Sequence, residues 1–461
     1  METKIAASRD LTQGPIWKKL ILFFLPIAAS TWFQQLYNAV DSIIVGRFVG
    51  TEALAAVGGS AATLTNLVIG FFTALTGGAS VVIAQLYGGK KEEPLRRATG
   101  TAVLLCFLIG LVLTGICLIF VPTFLVWLKT PADTLADATD YLRIYFSCSS
   151  VVLVLNIESG ILRAVGDSRR PFLFMFAACI LNIVLDYVFV VYLHWNVKGV
   201  AYATVLSQVL NFLLLTASLL RTREAYGLRW KELRLDGGLI RRMMRIGVPA
   251  SLEASMYNVS NMVLQVAVNS LSTVVVASWS LSTKIDGFYW ATSNAAGMAV
   301  INFVGQNFGA QKYDRIRQSV WVCMGMSVAL TGAMSALVIA FRPVILGIYT
   351  TDPAVIRLGV YVMAWTVPFN VLFMPVEVFA GAMRGTGYSV VPTVITCMCV
   401  CVFRVVWIFT VVRTWHRIEL LAVCYPLSWL LAATVFAIVY FQGGWLRRRI
   451  AQCGMEPEVR G

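Results

Sequence analysis

Charged residues and histidines are scarce in this chain of 461 residues. Lys, Arg, Asp and Glu make up 13% of it, about half of their share in a soluble domain, whereas 58% of the residues are hydrophobic. This scarcity of charge excludes an ordinary soluble protein. The two histidines, His194 and His416, lie in separate loops, which argues against the clustered catalytic set of an enzyme. We therefore predict no catalytic residues and a membrane protein.

Two further features are missing, a leader cleavage site and a disulfide framework. No small-residue cleavage site follows the first apolar segment, which begins near Ile16, so we expect an uncleaved first span. The ten cysteines lie mostly in apolar runs, where cysteine behaves as a small hydrophobe. Cys397, Cys399 and Cys401 would spread around a helix axis. No metal site is therefore predicted there, and no resident cofactor is expected.

What the chain does contain is a series of apolar runs of about 20 residues, the length that crosses a hydrocarbon core of about 30 Å. Twelve such runs predict an all-α, polytopic membrane protein. In the first half of the chain they begin near residues 16, 53, 95, 135, 165 and 198. In the second half they begin near residues 240, 273, 313, 354, 389 and 419.

The basic residues follow the predicted spans. Of the 37 Lys and Arg residues, 27 fall in the terminal segments and in every second loop, eight fall in the other loops, and Lys284 and Arg404 lie within spans. Because Lys and Arg concentrate on the cytoplasmic side of membrane proteins, we predict that both termini are cytoplasmic and that the chain lies in a bacterial inner membrane. The same distribution explains the net charge of +14 without a nucleic-acid partner.

The two halves of the chain carry the same motifs in the same order. GILRAVGDSRRP and GAMRGTGYSVVP both fit G-x-x-R-x-x-G-x-S-x-x-P and contain Arg163 and Arg384, respectively. AQLYGGKK and GQNFGAQK keep the same offset between Gln85 and Gln306, and LYNAVD and MYNVSN keep it to within one position. Three motifs that keep their order and spacing indicate an internal duplication.

The duplication predicts two six-helix bundles around a central cavity. Six spans repeated as six spans keep their orientation, which gives a parallel 6+6 repeat. The predicted parts are an N-terminal lobe (1–220), a basic cytoplasmic linker (221–245), a C-terminal lobe (246–446) and a cytoplasmic tail (447–461). Rocking of one bundle against the other would alternate access to the cavity, as in a transporter. A duplicated scaffold for a receptor or a membrane enzyme is the alternative.

Three predicted spans of the first half carry polar stripes inside the membrane. Because a charged group costs roughly 2.5–3.5 kcal/mol at the centre of a membrane helix, such groups face the bundle interior and mark functional sites. Residues spaced i, i+4 or i+7 share one helix face. The stripes are Gln34, Asn38 and Asp41 in the first span, Asn182 and Asp186 in the fifth, and Thr204, Gln208 and Asn211 in the sixth.

If the stripes converge, they predict a cation site formed by Asp41, Asn182, Asp186 and Thr204. Their carboxylate, amide and hydroxyl oxygens suit a small hard cation such as Na⁺. Without a cation, burial and the second carboxylate favour a protonated acid, so H⁺ fits as well. The alternative is that these groups are interhelical hydrogen bonds, worth about 0.6 kcal/mol each.

The second half lacks a copy of the fifth-span pair, since Phe403 and Trp407 stand at the equivalent positions. It carries other charges that are predicted to be buried. Glu253, Asp286 and Glu377 are candidates for substrate contact, for a second ion site or for structural ion pairs. Lys284 and Asp286 are too close in sequence to share a helix face, so they are expected to contact different helices. The five charges are Glu253, Lys284, Asp286, Glu377 and Arg404.

Three smaller expectations concern single side chains. Glu158 is expected to pair with Arg163. Arg163 and Arg384 are expected to bond the carbonyls at helix ends. Tyr37 and other aromatic residues in the spans suit cation–π contact with an organic cation.

Together, these features resemble the multidrug and toxic compound extrusion (MATE) family. The resemblance rests on the 6+6 repeat, the paired G-x-x-R-x-x-G-x-S-x-x-P loops and the VGQNFGAQK segment, and it covers about residues 14 to 446. The buried acids look most similar to the prokaryotic, DinF-related branch. The same wider group also contains flippases for lipid-linked oligosaccharides, which are the alternative function.

The resemblance implies secondary active efflux of organic, often cationic compounds, driven by H⁺ or Na⁺. In that branch the ion site is similar to the set of Asp41, Asn182, Asp186 and Thr204. Asn156 matches an amide that lines the same cavity, and Pro26 matches a proline at which the first helix bends. Gln34 and Tyr37 are further cavity candidates. The expected partners are a small organic substrate and the lipid bilayer, and the protein is expected to be a monomer.

Overall fold

The computed structural model describes residues 10–50, 53, 56–350, 352–415, 417–442 and 444–453. His416, the start of the N-terminal arm and residues 454–461 of the predicted tail lie outside the described residues. The first half forms helices α1 (Ile16–Val49), α2 (Val57–Gly88), α3 (Glu92–Trp127), α4 (Leu135–Ser147 and Ser149–Ala164), α5 (Arg169–Tyr192) and α6 (Asn196–Arg221). The second half forms α7 (Gly237–Asn269), α8 (Thr273–Gly309), α9 (Tyr313–Tyr349), α10 (Pro353–Gly385), α11 (Val390–Trp415) and α12 (Ile418–Gln442), followed by the short α13 (Trp445–Gln452).

These twelve long helices confirm the predicted fold class. Each begins within four residues of its predicted start. Among the described residues, nine helices are long and apolar enough to cross a membrane, and α4 qualifies as a pair of helices bent by 51°. The two that remain, α7 and α8, carry polar side chains such as Glu253 and Asp286 along their length. The chain is therefore a multi-pass membrane protein.

The duplication is visible in the backbone itself. Gly166 and Gly387, the second glycines of the paired loops, have φ of 85° and 82°, a conformation that glycine adopts without strain. Lys90 and Gln311 are both left-handed as well, with φ of 53° and 58°. Wide π-helical turns recur at the same offset, at Tyr187–Tyr192 and Ile408–Val412. The two halves thus share local geometry and not only sequence motifs.

The hydrophobic cores follow the halves with two exceptions, which are the first parts of α1 and α7. One core is built mainly from α2, α3, α4 and α6 and includes Met243 and Ile246 of α7, and another is built mainly from α8 to α13. Leu20, Phe23 and Ile27 of α1 lie in the second core. Farther along α1, Phe33 packs against Phe176 of α5, with ring centroids 5.0 Å apart. Helix α1 therefore contacts both halves and forms part of the interface between them.

The connection between the halves is shorter than the predicted linker. Residues 237–245 already belong to α7, so the non-helical part runs from 222 to 236 and contains one short turn, Trp230–Glu232. This segment lies on α3, where the Thr101 hydroxyl donates to the Arg234 carbonyl at 2.8 Å. A Cβ on Gly100 would lie 2.0 Å from the Glu232 carbonyl oxygen. The close approach of the two backbones therefore requires glycine at position 100.

Candidate functional site

Asp41 of α1 and Asp186 of α5 meet inside the first half of the molecule. Their side chains lie close enough to interact electrostatically with each other. Asp186 is fully buried, and neither of its carboxyl oxygens has a hydrogen-bond partner among the described residues. Two carboxyl groups can bond each other only when one of them carries a proton. The pair can therefore hold a proton between its oxygens or offer those oxygens to a cation.

Asn182 and Thr204 complete the polar surroundings of this pair. Asn182 lies one turn before Asp186 and is fully buried, and neither atom of its amide has a partner in the part of the chain that the structure describes. Thr204 of α6 accepts a hydrogen bond from the Tyr37 hydroxyl at 3.3 Å. Asp41, Asp186 and Thr204 thus come together from the three stripes, whereas Gln34 and Asn38 of the first stripe are exposed. The group leaves several oxygen atoms unpaired. We call Asp41, Asn182, Asp186 and Thr204 the carboxylate cluster.

Tyr141 of α4 belongs to the same region, although the sequence analysis did not select it. It lies close enough to both Asp41 and Asp186 to interact electrostatically with them. Its ring stacks on that of Tyr145, with centroids 6.2 Å apart. Two tyrosines spaced i, i+4 were the available signal in the sequence, but an isolated aromatic pair in a membrane helix usually serves packing. Tyr141 is therefore a wall of the carboxylate cluster that periodicity alone does not reveal.

Two other predicted cavity residues of the first half, Asn156 and Gln34, form no hydrogen bond with the cluster in the described structure. The Asn156 amide donates to the Val152 carbonyl of its own helix at 2.9 Å, and Gln34 is exposed on α1. Pro26 lies inside α1, within the segment that packs in the second core and before the segment that carries Asp41. Since proline cannot donate a backbone hydrogen bond, the helix is weakest at this position.

Glu158 does not pair with Arg163, so that expectation is wrong. Its carboxylate is fully buried and accepts a hydrogen bond of 2.7 Å from the Thr216 hydroxyl of α6. Arg163 instead donates to the Ser159 hydroxyl at 2.7 Å, one turn earlier on its own helix. At the spacing i, i+4 the guanidinium of Arg163 reaches Ser159, whereas the side chain at position 158 points to the neighbouring helix.

Glu253 and Arg384 form a salt bridge that ties α7 to α10. The second oxygen of Glu253 accepts from the Thr393 hydroxyl of α11 at 3.1 Å. Glu377 lies close enough to interact with both members of the salt bridge. The expectation that Arg384 bonds helix-end carbonyls is therefore wrong, because the nearby carboxylates attract the guanidinium more strongly.

Asp286 and Lys284 contact different helices, as expected, but only one of them is shielded from solvent and lipid. Asp286 is partly buried and lies close to the side chain of Asn370 of α10. Lys284 is exposed, and its ammonium lies 5.5 Å from the centroid of the Tyr349 ring. The prediction that Lys284 is buried is thus wrong. The apolar residues around Lys284 in the sequence led to the prediction of burial. The long, flexible side chain of lysine, however, can carry its ammonium group to the surface.

Aromatic side chains replace the carboxylate cluster at the equivalent place of the second half. The rings of Phe403 and Trp407 stack with centroids 5.8 Å apart. The Trp407 indole N–H donates to the Leu420 carbonyl at 2.9 Å. Every polar atom of these two side chains is satisfied within the protein, so this part of α11 offers no oxygen ligands.

The repeated glutamine motifs join the two halves. Gln85 of α2 donates to the Gly385 carbonyl at 2.8 Å, and Gln306 of α8 donates to the Ala164 carbonyl at 2.7 Å. Both the glutamines and the carbonyls are equivalent pairs of the internal repeat. The sequence analysis gave these glutamines no role, because a repeat shows equivalence but not contact. Each motif in fact bonds the paired loop of the other half.

The glycines of the same motifs bring the two backbones into direct contact. A Cβ added to Gly88 would lie 1.9 Å from the Gln306 carbonyl oxygen, and one added to Gly309 would lie 1.9 Å from the Gln85 carbonyl oxygen. No larger residue fits at this approach. We call Gln85, Gly88, Gln306 and Gly309 the gate contact. It joins the two halves on the side where both described chain ends lie.

The N-terminal segment covers the gate contact. The Leu11 N–H donates to the Gln306 side-chain oxygen at 3.0 Å, and Leu11 is almost fully buried. Lys312 donates to the Thr12 carbonyl at 2.8 Å, and Arg315 donates to the Gly14 carbonyl at 3.0 Å. The segment before α1 is thus hydrogen-bonded to the second half of the molecule, although in sequence it precedes the first half.

A family model described as MatE matches the chain twice, at residues 26–188 and 249–410. The chain belongs to the MatE family. The two matches coincide with the two halves, which agrees with the MATE resemblance and with the duplication. The two matches begin at Pro26 and at Pro249, a proline in the first helix of each half.

Similar proteins are found among bacterial relatives and among solved structures. The chain is 28% identical over 449 residues to a probable multidrug resistance protein, YoeA of Bacillus subtilis, covering 95% of this chain and 96% of that protein. It is 22% identical over 383 residues to the multidrug export protein MepA of Staphylococcus aureus, covering 81% and 83%. A structure described as an outward-facing multidrug resistance MATE family transporter superposes with a TM-score of 0.86 at 23% identity, over 96% of this chain and 98% of that one.

A second structure, that of a transporter from Pyrococcus furiosus, has a TM-score of 0.89 at 22% identity and covers 97% of this chain and 99% of that one. It is described as having a binding pocket of reverse polarity that suggests a different function. These likenesses establish the fold shared with MATE structures.

Proposed function

We propose that this MATE protein is a transporter that exports organic, often cationic compounds by antiport with H⁺ or Na⁺. The observation that carries the proposal is the carboxylate cluster, in which Asp186 and Asn182 are fully buried, Asp41 is partly buried, and all three have unpaired oxygens. Buried ionisable groups in membrane helices are costly and are retained where ions or protons pass. The names of the bacterial relatives, a multidrug resistance protein and a multidrug export protein, support the same function.

In the proposed cycle, a cation or proton enters the carboxylate cluster while the opposite side of the molecule is closed by the gate contact. Binding neutralises Asp41 and Asp186 and changes how α1 packs against α5. Helix α1 bends near Pro26, and the substrate is released from the cavity. Because ion and substrate favour different arrangements of α1, each lowers the affinity for the other, and this mutual effect is the coupling.

The orientation belongs to the same proposal. The side that carries the gate contact and both chain ends would face the cytoplasm of a bacterial cell, with the protein in the inner membrane. The arrangement is then outward-facing. The partners are a small organic substrate and the lipid bilayer, with no nucleic acid, and the working unit is a monomer. No resident cofactor is needed, because the coupling ion supplies the driving force.

Efflux from proteoliposomes tests the function. Purified protein is reconstituted, loaded with ethidium and exposed to a pH gradient or a Na⁺ gradient, each imposed separately. We expect dye flux under at least one gradient and none when both gradients are absent. Absence of flux under either gradient, combined with binding of an undecaprenyl-pyrophosphate lipid, would instead favour the flippase function.

A further inference from the structure

The second half of the molecule buries an arginine that has no acidic partner. Arg404 of α11 is fully buried and is the largest such side chain among the described residues. Its Nε donates to the Ser428 hydroxyl at 3.1 Å. Nη1 and Nη2, however, have no hydrogen-bond partner in the part of the chain that the structure describes. A buried guanidinium with two unpaired nitrogens is costly unless another group accepts hydrogen bonds from those nitrogens.

Three aromatic side chains surround this guanidinium. The Arg404 Cζ atom lies 4.2 Å from the centroid of the Tyr425 ring, 5.5 Å from that of Tyr257 and 5.9 Å from that of Trp429. Aromatic faces stabilise the positive charge, but they supply no acceptor for the two nitrogens. The aromatic rings therefore surround the guanidinium, and Nη1 and Nη2 are left without an acceptor among the described residues.

Two further polar groups at this place can donate hydrogen bonds. The Tyr257 hydroxyl and the Trp429 indole N–H have no hydrogen-bond partner among the described residues. Glu377 and Asp286 influence Tyr257 and Tyr425 from a distance. Neither carboxylate forms an ion pair with Arg404 in the described structure. The unpaired guanidinium and indole donors at this place contrast with the unpaired carboxyl oxygens of the carboxylate cluster.

The repeat relates this place to the carboxylate cluster. By the offset between the two halves, Tyr425 corresponds to Thr204 and Trp429 corresponds to Gln208. Tyr257 corresponds to Tyr37 through the LYNAVD and MYNVSN motifs. Equivalent positions of the two halves thus surround acids in one case and an arginine in the other. The duplicated scaffold provides two internal sites of opposite charge.

We propose that Arg404, Tyr257 and Trp429 form an anion site that takes a carboxylate or phosphate oxyanion. A guanidinium presents two parallel N–H groups that match such an oxyanion in a bidentate arrangement. The anion would be part of a zwitterionic transported compound, whose cationic part is attracted to the acids of the protein. This inference rests on the proposed transport function, since it names the chemical class of substrate that the cavity selects. A phosphate of an anionic lipid has the same chemistry and is distinguished below.

Equilibrium binding in lipid nanodiscs tests the site without an ion gradient. The probes are a rhodamine with a free carboxylate and its methyl ester, which differ only at that group, and binding is followed by fluorescence polarisation. We expect wild-type protein to prefer the carboxylate form. In Arg404→Gln the ratio of the two affinities should fall by about tenfold to a hundredfold, the range for hydrogen bonds to a charged group. Arg357→Gln, which removes an exposed arginine at the start of α10, should keep the wild-type ratio.

A second, milder variant keeps the test valid if Arg404→Gln fails to fold. Tyr257→Phe removes one donor and keeps the ring, and it should lower the affinity ratio by about threefold to tenfold, the range for a single hydrogen bond. If both variants weaken the carboxylate and the ester equally, Arg404 serves only packing and the proposal is wrong. It is also wrong if the wild-type protein binds neither dye or does not distinguish them. Ethidium efflux judges the transport function separately, so the two failures can be told apart.

The source of the anion is decided by repeating the titration with phosphatidylglycerol added to phosphatidylcholine nanodiscs. If the anionic lipid lowers the affinity of the wild type for the carboxylate dye but not that of Arg404→Gln, the site holds a lipid phosphate. If the lipid has no effect and the affinity ratio still depends on Arg404, the site holds the carboxylate of a substrate.

Discussion

The gate contact leads to a sharp prediction for Gly88→Ala. The new Cβ would lie 1.9 Å from the Gln306 carbonyl oxygen, whereas ordinary contacts begin at 3.4 Å. The two backbones must therefore separate by about 1.5 Å, and neither can yield by rotating a side chain. Overpacking of this kind costs about 1–3 kcal/mol. Because opening the gate relieves the clash, the ratio of open to closed molecules should rise by about five- to 150-fold.

Hydrogen–deuterium exchange of the purified protein measures this shift. Peptides that cover residues 82–91 and 303–312 should exchange faster in Gly88→Ala than in the wild type, while peptides from α5 and α6 remain protected. Gly309→Ala should act in the same way, because its Cβ would meet the Gln85 carbonyl oxygen at 1.9 Å. The matched control is Gly115→Ala on α3, where an added Cβ has no heavy atom within 4 Å.

Two outcomes would refute this reasoning. If both gate peptides of Gly88→Ala exchange as slowly as those of the wild type, the glycine contact does not hold the gate closed. If all regions of the variant exchange faster together, the substitution destabilises the whole fold and does not shift a two-state equilibrium.

Three further predictions follow from single contacts. Glu253→Gln should lower the free energy of unfolding by about 3 kcal/mol, because it leaves Arg384 without its salt-bridge partner, and thermal unfolding in detergent measures this loss. Thr216→Val should cost about 1–3 kcal/mol by leaving the Glu158 carboxylate without a donor, whereas Thr216→Ser should unfold at nearly the wild-type temperature. Gln306→Leu removes the hydrogen bond to the Ala164 carbonyl and should therefore speed hydrogen–deuterium exchange of the gate peptides. Unlike Gly88→Ala, it introduces no Cβ at the glycine contact. Unchanged unfolding or exchange would contradict each assignment.

The architecture was largely predictable because it follows from apolar length and from repetition. Twelve runs of membrane-spanning length gave helix starts correct to within four residues, and the constant offset between motifs predicted a duplication that the backbone repeats at Gly166 and Gly387. The convergence of Asp41, Asp186 and Thr204 was predictable as well, because a costly polar residue in a membrane helix must turn inward. Both arguments need only helix periodicity and the cost of burying charge.

Contacts between halves and partners of single charges were not predictable in the same way. Gln85 and Gln306 bond the carbonyls of Gly385 and Ala164, which lie in the opposite halves of the chain, and no local pattern reveals such contacts. Glu158 and Arg163 looked like a pair by sequence distance, yet their side chains bond other partners in space. Periodicity gives the face of a helix, whereas partners depend on how helices pack.

The central claim, that Asp41 and Asp186 couple ion movement to export, is tested most directly by ethidium efflux from proteoliposomes that contain Asp186→Asn. Asn keeps the size of the side chain but cannot hold a proton or a negative charge, so we predict that efflux driven by the imposed gradient is lost. The matched control is Asp140→Asn, an acid at the molecular surface that pairs with Lys198 at 3.0 Å, and it should transport as the wild type does. Gradient-driven efflux by Asp186→Asn at the wild-type rate would contradict the account.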